Sequence, residues 1–201
     1  RVEGVPVVKT LSAGGKHTCV VDEDSHVWCF GENLKGQLGD GTLVERPSPV
    51  QVTGLEKATL VRNGDEHTCA LQDGGTLICW GSNELGQIGT GDPGAKGVPP
   101  TEVPGLLSIE DLGVGDEHTC VRKGGGPVSC WGHNGKASVG NGQTKDQATP
   151  VDVFAAARIA LSGGAFHSCP IVDREVGELW CWGQNDQGQI GNGTITVDAK
   201  K

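Results

Sequence analysis

One pattern recurs four times along the chain, at a nearly constant interval. Each copy contains a histidine, a glycine three residues before it and a cysteine two residues after it. A second cysteine follows in every copy, and after it comes Phe-Gly once and Trp-Gly three times. The histidines are separated by 50, 51 and 49 residues and are His17, His67, His118 and His167. Repetition at this period indicates an array of similar units rather than one large core.

The segments within each unit are typical of short strands. They contain β-branched residues and are interrupted by Gly, Pro and Asn-Gly pairs, with no helical periodicity beyond two turns. The chain has 34 glycines in 201 residues and only 35% hydrophobic residues, so it cannot build one thick core. Units of this length made of short strands predict an all-β fold of β-propeller blades. We expect one array with repeats at approximately 1–49, 50–100, 101–150 and 151–201.

The order of the motifs is more specific than the period. Each unit reads Gly-x-x-His-[Thr/Ser], a short hairpin and an aromatic-Gly-x-Asn sequence, and three units continue as Gly-Gln-[Leu/Ile]-Gly-x-Gly. This order resembles the repeat of the regulator of chromosome condensation family over essentially the whole chain. The resemblance implies a β-propeller, most often of seven blades with four antiparallel strands each. Members of the family act in nucleotide exchange, light sensing, enzyme inhibition and ubiquitin-ligase targeting, so the resemblance implies no single function.

Two features set this chain apart from that pattern. The third unit has Ala137 and Ser138 where the other units have Gly and Gln, which leaves the conformation of its turn open. Four repeats are also fewer than the usual seven. We therefore expect part of a larger ring, and a closed four-bladed ring or a ring completed by another chain are the alternatives.

The eight cysteines fit a hairpin disulfide in every unit. Cys69 and Cys79 lie equally far from Gly74, so a hairpin that turns there places them opposite each other, within reach of a disulfide. The fourth pair is separated by 12 residues instead of 10, and two added residues keep both cysteines on one face. The expected bridges are Cys19–Cys29, Cys69–Cys79, Cys120–Cys130 and Cys169–Cys181. Zinc ligation and free or redox-active thiols are the alternatives, although no Cys-x-x-Cys occurs.

The expected disulfides and the net charge limit the cellular location and the classes of partner. Persistent disulfides predict an oxidising compartment, so we expect an extracellular or cell-surface protein. The net charge of −9 argues against nucleic acid as a partner, and no apolar run has the length for membrane insertion. The acidic pair before the histidine occurs in only two of the four units, so we expect no catalytic site, and we expect no cofactor.

The remaining candidates are structural aromatic residues and exposed binding residues. Trp80, Trp131, Trp182 and Phe30 share one repeat position, which indicates packing between blades, and the repeat histidines are interpreted as structural hydrogen-bonding residues. We place Trp28 and Trp180 on the opposite face of their strands, as possible exposed anchors. The variable connectors supply the other candidate binding residues, which are Glu45, Arg46, Lys96 and Lys145. The acidic turn at 21–26 is interpreted as a solvated hairpin, with calcium as the alternative.

These observations favour a binding scaffold that recognises a protein or a glycan through its loops. A structural module of a larger surface or adhesive protein is the second hypothesis. A propeller-type enzyme inhibitor or enzyme is the third. Further propeller blades from the same or another chain are also possible partners.

Overall fold

The computed structural model describes residues 1–125, 127–154, 160–172 and 177–199. The described residues form sixteen strands in four antiparallel sheets of four, arranged as β-propeller blades. The expected all-β propeller fold is confirmed. In each blade the strands follow one another in chain order, because short hairpins connect them.

Blade 1 consists of β1 (Val8–Ala13), β2 (His17–Asp22), β3 (Val27–Gly31) and β4 (Arg46–Gln51). Blade 2 consists of β5 (Ala58–Asn63), β6 (His67–Gln72), β7 (Leu77–Asn83) and β8 (Ala95–Glu102). Blade 3 consists of β9 (Ile109–Val114), β10 (His118–Lys123), β11 (Val128–Gly132) and β12 (Gln147–Phe154). Blade 4 consists of β13 (Ala160–Gly163), β14 (His167–Ile171), β15 (Trp182–Asn185) and β16 (Thr196–Ala199). The ends of the first strands and the turns that follow them surround a central cavity of about 300 Å³.

The hairpin between the second and third strands shows how the local sequence fixes the register. In blade 2 the turn passes through Gly74 and Gly75, which have φ angles of +88° and +83°. These left-handed conformations are accessible to glycine at little cost. The turn places Cys69 directly opposite Cys79, and their Cα atoms are 4.1 Å apart. The structure contains all four expected disulfides, including Cys169–Cys181 with its longer hairpin.

The core is divided among the interfaces between consecutive blades. Between blades 1 and 2, the Cys19–Cys29 disulfide and Leu38 pack against Val61 and Trp80. The interfaces between blades 2 and 3 and between blades 3 and 4 repeat this arrangement. Because each interface is small, the fold depends on many modest apolar contacts rather than on one large core.

The two terminal blades each leave one face uncovered in the described structure. Leu11 of blade 1 is 63% exposed, whereas the equivalent Val61 and Leu112 are fully buried. Ile190 of blade 4 is half-buried, whereas the equivalent Ile88 is fully buried. This open arrangement agrees with the expectation that the four blades form part of a larger ring, whose completion stays a prediction.

The third unit keeps the turn that its sequence left open. Ala137 has a φ angle of +58°, close to the +75° of Gly36 at the equivalent position. The Ser138 hydroxyl donates to the carbonyl of His133 at 2.6 Å, whereas in blade 1 the side-chain oxygen of Gln37 accepts from the backbone N–H of Lys35. The turn conformation is therefore maintained, with different hydrogen bonds.

Candidate functional site

Each repeat histidine of the first three blades contacts a hydroxyl group in the next blade. His17 Nε2 lies 2.8 Å from Thr68 Oγ1, and the Thr68 hydroxyl donates to the Gln37 carbonyl at 2.9 Å. The hydroxyl oxygen must therefore accept from a protonated His17 Nε2. The same contact joins His67 to Thr119 at 3.0 Å and His118 to Ser168 at 2.7 Å. These histidines have a structural role between blades.

The tryptophan of each following blade reaches the same carbonyl. Trp80 Nε1 donates to the Gln37 carbonyl at 2.9 Å, and Trp131 donates to the Gln87 carbonyl at the same distance. Trp182 donates to the Ser138 carbonyl at 2.9 Å. The shared aromatic position thus supplies both apolar packing and a hydrogen bond between blades.

Burial keeps these histidines neutral. It lowers the pKa of His17 to about 4 and the pKa of His67 and His118 to about 3. Among the described residues, their Nδ1 atoms have no hydrogen-bond partner. A neutral imidazole in this position can donate one hydrogen bond, and that bond goes to the hydroxyl group of the next blade.

The connectors between the third and fourth strands lie at one end of the propeller. We name this end the connector face, and it comprises residues 32–45, 84–94, 133–146 and 186–195. A buried asparagine anchors each connector. In blade 1, Asn33 Nδ2 donates to the carbonyls of Thr42 and Val44, and its Oδ1 accepts from the backbone N–H of Leu38. Asn83, Asn134 and Asn185 accept the equivalent backbone hydrogen bond. This network explains the asparagine of the aromatic-Gly-x-Asn motif.

The structure gives the four candidate residues of the connectors different roles. Glu45, Lys96 and Lys145 are exposed at or beside the connector face, where they can contact a partner. Lys96 Nζ also lies 3.4 Å from the Glu84 carboxylate of its own connector. Arg46 instead donates through Nε to the Asp40 carboxylate at 2.8 Å and holds its own connector in place. Exposed Leu43 and Val44 add apolar surface beside Glu45.

The two other candidates, Trp28 and Trp180, do not join this surface. The prediction that Trp28 lies on the opposite strand face from Phe30 was wrong. Thr18 pairs with Phe30 and Val20 pairs with Trp28, and residues two apart on a strand share a face. Trp28 is half-buried and lies nearer the hairpin tip than the connector face.

The prediction that Trp180 lies on the opposite face from Trp182 was also wrong, because the two residues are two apart and both contact blade 3. Trp180 also lies away from the connectors, before β15. It is 47% exposed, and its ring packs against Phe154 of blade 3 with the ring centroids 5.4 Å apart. Trp180 therefore bridges two blades at their rim while keeping nearly half of its surface available.

The acidic hairpin of blade 1 uses its buried carboxylate internally. Asp22 accepts from the backbone N–H of His26 at 2.9 Å and from Trp28 Nε1 at 2.8 Å. Among the described residues, no group of three His, Cys, Asp or Glu side chains is arranged to hold a metal ion. With every cysteine in a disulfide, zinc ligation through thiolates has no ligands in this structure.

Charged pairs between blades were missed by sequence reasoning. Lys35 of blade 1 contacts the carboxylates of Glu66 and Glu84 in blade 2, and its hydrogen bond to Glu84 raises the pKa of the lysine. Near the central cavity, burial and then the neighbouring Asp65 raise the pKa of Asp116. The partners come from different repeats, so the spacing within one repeat gives no signal for them.

The fold and this repeated interface define the chain as a β-propeller repeat protein. The family model described as regulator of chromosome condensation (RCC1) repeat matches residues 24–71, and a second model with the same description matches 8–37 and 64–87. The ultraviolet-B receptor UVR8 of Arabidopsis thaliana is 32% identical over 94% of this chain and 44% of its own length. These matches show RCC1 repeats in this chain and agree with the resemblance that the order of its motifs implies.

Solved structures agree on the fold. Prp20p from Saccharomyces cerevisiae superposes with a TM-score of 0.81 at 22% identity, over 98% of this chain and 50% of that one. The CRINKLY ectodomain of the Arabidopsis thaliana receptor kinase ACR4 gives a TM-score of 0.58 at 21% identity, over 90% of this chain and 57% of that one. The chain thus spans about half the length of these relatives or less. In the part of the chain that the structure describes, no helix is long and apolar enough to cross a membrane.

Proposed function

We propose that the chain is an extracellular binding scaffold that recognises a protein or a glycan through the connector face. The observation that carries this proposal is that each connector has a backbone fixed by a buried asparagine and also has exposed side chains. The Asn33 side chain is fully buried and holds its connector by several hydrogen bonds, while Leu43, Val44 and Glu45 of that connector are exposed. A fixed backbone that presents exposed side chains loses little conformational entropy on binding.

Two relatives support parts of this proposal. Prp20p binds Gsp1p and histones, which are proteins. The ACR4 structure is that of a receptor ectodomain. The four disulfides are compatible with an oxidising compartment. The net charge of −9 and the acidic side chains near the central cavity favour a partner other than nucleic acid.

A charge swap on the connector face tests the proposal. The immobilised chain is used to capture proteins from the extracellular fluid of its source, and a glycan array is probed in parallel. Exchanging Glu45→Lys together with Lys145→Glu leaves the net charge unchanged and should reduce saturable binding at least tenfold. The matched control exchanges Glu56→Lys and Lys57→Glu, which are exposed between β4 and β5, at the opposite end of the blades.

The outcomes separate the hypotheses. Loss of binding in the connector variant alone supports recognition through this face. Equal binding by both variants would place the site elsewhere, and the absence of any saturable ligand would favour a structural module.

A further inference from the structure

The three interfaces between consecutive blades are built from the same two faces. The outgoing face of a blade carries its histidine, its disulfide and the aliphatic residue of its connector turn; in blade 2 these are His67, Cys69–Cys79 and Ile88. The incoming face carries an aliphatic residue of the first strand, a hydroxyl after the histidine and the shared aromatic residue; in blade 3 these are Leu112, Thr119 and Trp131. These apolar and hydrogen-bonding groups are buried at all three internal interfaces.

The incoming face of blade 1 is uncovered. Leu11 is 63% exposed, and Thr18 and Phe30 are half-buried, whereas the equivalent Thr68 and Trp80 of blade 2 are fully buried. Trp28 lies on the same face of the sheet, two residues before Phe30. The result is an apolar strip with one hydroxyl group.

The outgoing face of blade 4 is uncovered as well. His167, Cys169, Cys181 and Ile190 are all half-buried, although each equivalent in blade 2 is fully buried. Ile195 extends this face and is 73% exposed. The chain thus displays one copy of each half of an interface that it forms three times internally.

Charge does not oppose contact between these two faces. At the interface of blades 1 and 2, Lys35 pairs with Glu84, and at the interface of blades 3 and 4, Lys136 interacts electrostatically with Asp186. The equivalents of Lys35 and Glu84 on the uncovered faces are Gln187 on blade 4 and Leu34 on blade 1, and both are uncharged. Lys35 also contacts Glu66, whose equivalent on blade 1 is Lys16, and Lys16 pairs with Glu32 of its own blade at 3.3 Å. Neither face therefore brings an unmatched charge to this position.

We propose that the outgoing face of blade 4 binds the incoming face of blade 1 in a second copy of this chain. The contact is heterologous, because the two copies use different faces. In this arrangement His167 meets the Thr18 hydroxyl, and Leu11 packs against the Cys169–Cys181 disulfide and Ile190. The Phe30 side chain has no N–H group, so it cannot donate to the Gln189 carbonyl as the equivalent tryptophans do at the internal interfaces. This contact therefore has one hydrogen bond fewer than the internal interfaces and is weaker than they are.

Sedimentation of the 201-residue protein tests this proposal. The weight-average mass is measured over roughly a hundredfold range of concentration, where mass action reveals self-association. We expect the mass to rise above that of one chain, which is 20.8 kDa. Leu11→Asp and Ile190→Asp should each give a monomer, because each removes one of the two faces required.

Mixing the two variants gives the decisive result. The Leu11→Asp chain keeps an intact blade 4 and the Ile190→Asp chain keeps an intact blade 1, so the mixture should form a one-to-one heterodimer. Leu107→Asp is the control, because Leu107 is 80% exposed and lies on the link between blades 2 and 3. Ile195→Asp replaces Ile190→Asp if the latter loses its circular dichroism spectrum.

Each result decides the matter. A monomer at every concentration would overturn the proposal and would leave the two faces for further blades of another kind. Association that survives in the single variants, or a mixture that stays monomeric, would overturn the head-to-tail contact.

Discussion

The imidazole Nε2 of His67 lies 3.0 Å from the hydroxyl oxygen of Thr119 in the next blade. The Thr119 hydroxyl donates in turn to the Gln87 carbonyl at 3.0 Å, so the hydrogen bonds pass from blade 2 to blade 3 and back again. Both side chains are fully buried. Apolar contacts alone would allow adjacent blades to slide, whereas a buried donor without its acceptor is costly, so this relay fixes how the blades meet.

Replacing Thr119→Val should destabilise the protein by about 1–3 kcal/mol, because the buried His67 N–H loses its acceptor. Unfolding in urea at high dilution measures the change. The control is Thr18→Val, the same substitution on the uncovered face of blade 1, which should cost less than about 0.5 kcal/mol. Similar losses for the two variants would show that the relay contributes nothing specific.

Acid should destabilise the fold before most carboxylates titrate. Burial lowers the pKa of His17 to about 4 and the pKa of His67 and His118 to about 3, whereas histidine in an unfolded chain titrates near 6.5. The unfolded state therefore binds more protons as the pH falls from about 6.5 to about 4, and the free energy of unfolding falls with it.

Each buried histidine contributes up to about 1.4 kcal/mol per pH unit in this window. Thermal unfolding followed at several pH values measures the slope. His67→Asn should be less stable at neutral pH but should show a slope reduced by up to about 1.4 kcal/mol per pH unit, since one buried histidine is gone. An unchanged slope in the variant would contradict the assignment of acid sensitivity to these residues.

The sequence predicted those features that one repeat determines by itself. Cys69 and Cys79 were placed correctly because the turn at Gly74 fixes their register within a single hairpin. Contacts between repeats were missed, among them Lys35 with Glu66, because they depend on how one blade is rotated against the next.

The face of Trp28 was misassigned for another reason. Strand alternation alone puts Trp28 and Phe30 on one face, and that rule was misapplied. Only the packing of the blades determines which of the two strand faces contacts a neighbouring blade. The partner of each histidine did leave a trace in the sequence, namely the Thr or Ser that follows it in all four units.

Reduction should open the disulfides in a defined order. Cys169 and Cys181 are half-buried on the uncovered face of blade 4, whereas the other six cysteines are fully buried. A thiol reductant must reach a sulfur atom, so the Cys169–Cys181 bridge should react first. Differential alkylation followed by peptide mass spectrometry under limiting reductant identifies the order. Reduction of Cys69–Cys79 before Cys169–Cys181 would contradict the burial argument.

Asp116→Asn should raise the stability at neutral pH. Burial and then Asp65 raise the pKa of Asp116, so its ionisation costs more in the folded state than in the unfolded state. This cost appears as the pH rises through the unfolded and then the folded pKa, and it is absent in acid. The melting temperature should increase by about 1–3 °C at pH 7, with no gain well below pH 4. Asp73→Asn, at an exposed hairpin tip, is the control, and an equal gain there would contradict the explanation.

Gly64→Ala should be among the most damaging single substitutions in the chain. An added Cβ would lie 2.4 Å from His67 Cε1 and 2.6 Å from the carbonyl oxygen of Gly115 in the next blade. The imidazole cannot turn aside, because its Nε2 is held by Thr119, and the backbone carbonyl can move only if blade 3 moves.

Overpacking of this kind costs about 1–3 kcal/mol, and urea unfolding measures it. The control is Gly124→Ala, whose Cβ would meet the flexible end of the Glu110 side chain at 3.0 Å and should cost much less. The double variant Gly64→Ala with His67→Asn separates the two contacts. It removes the clash with the ring but keeps the clash with the Gly115 carbonyl. The stability lost in the double variant should therefore be smaller than the sum of the losses in the two single variants. Full additivity would show that the ring of His67 does not limit the space at Gly64.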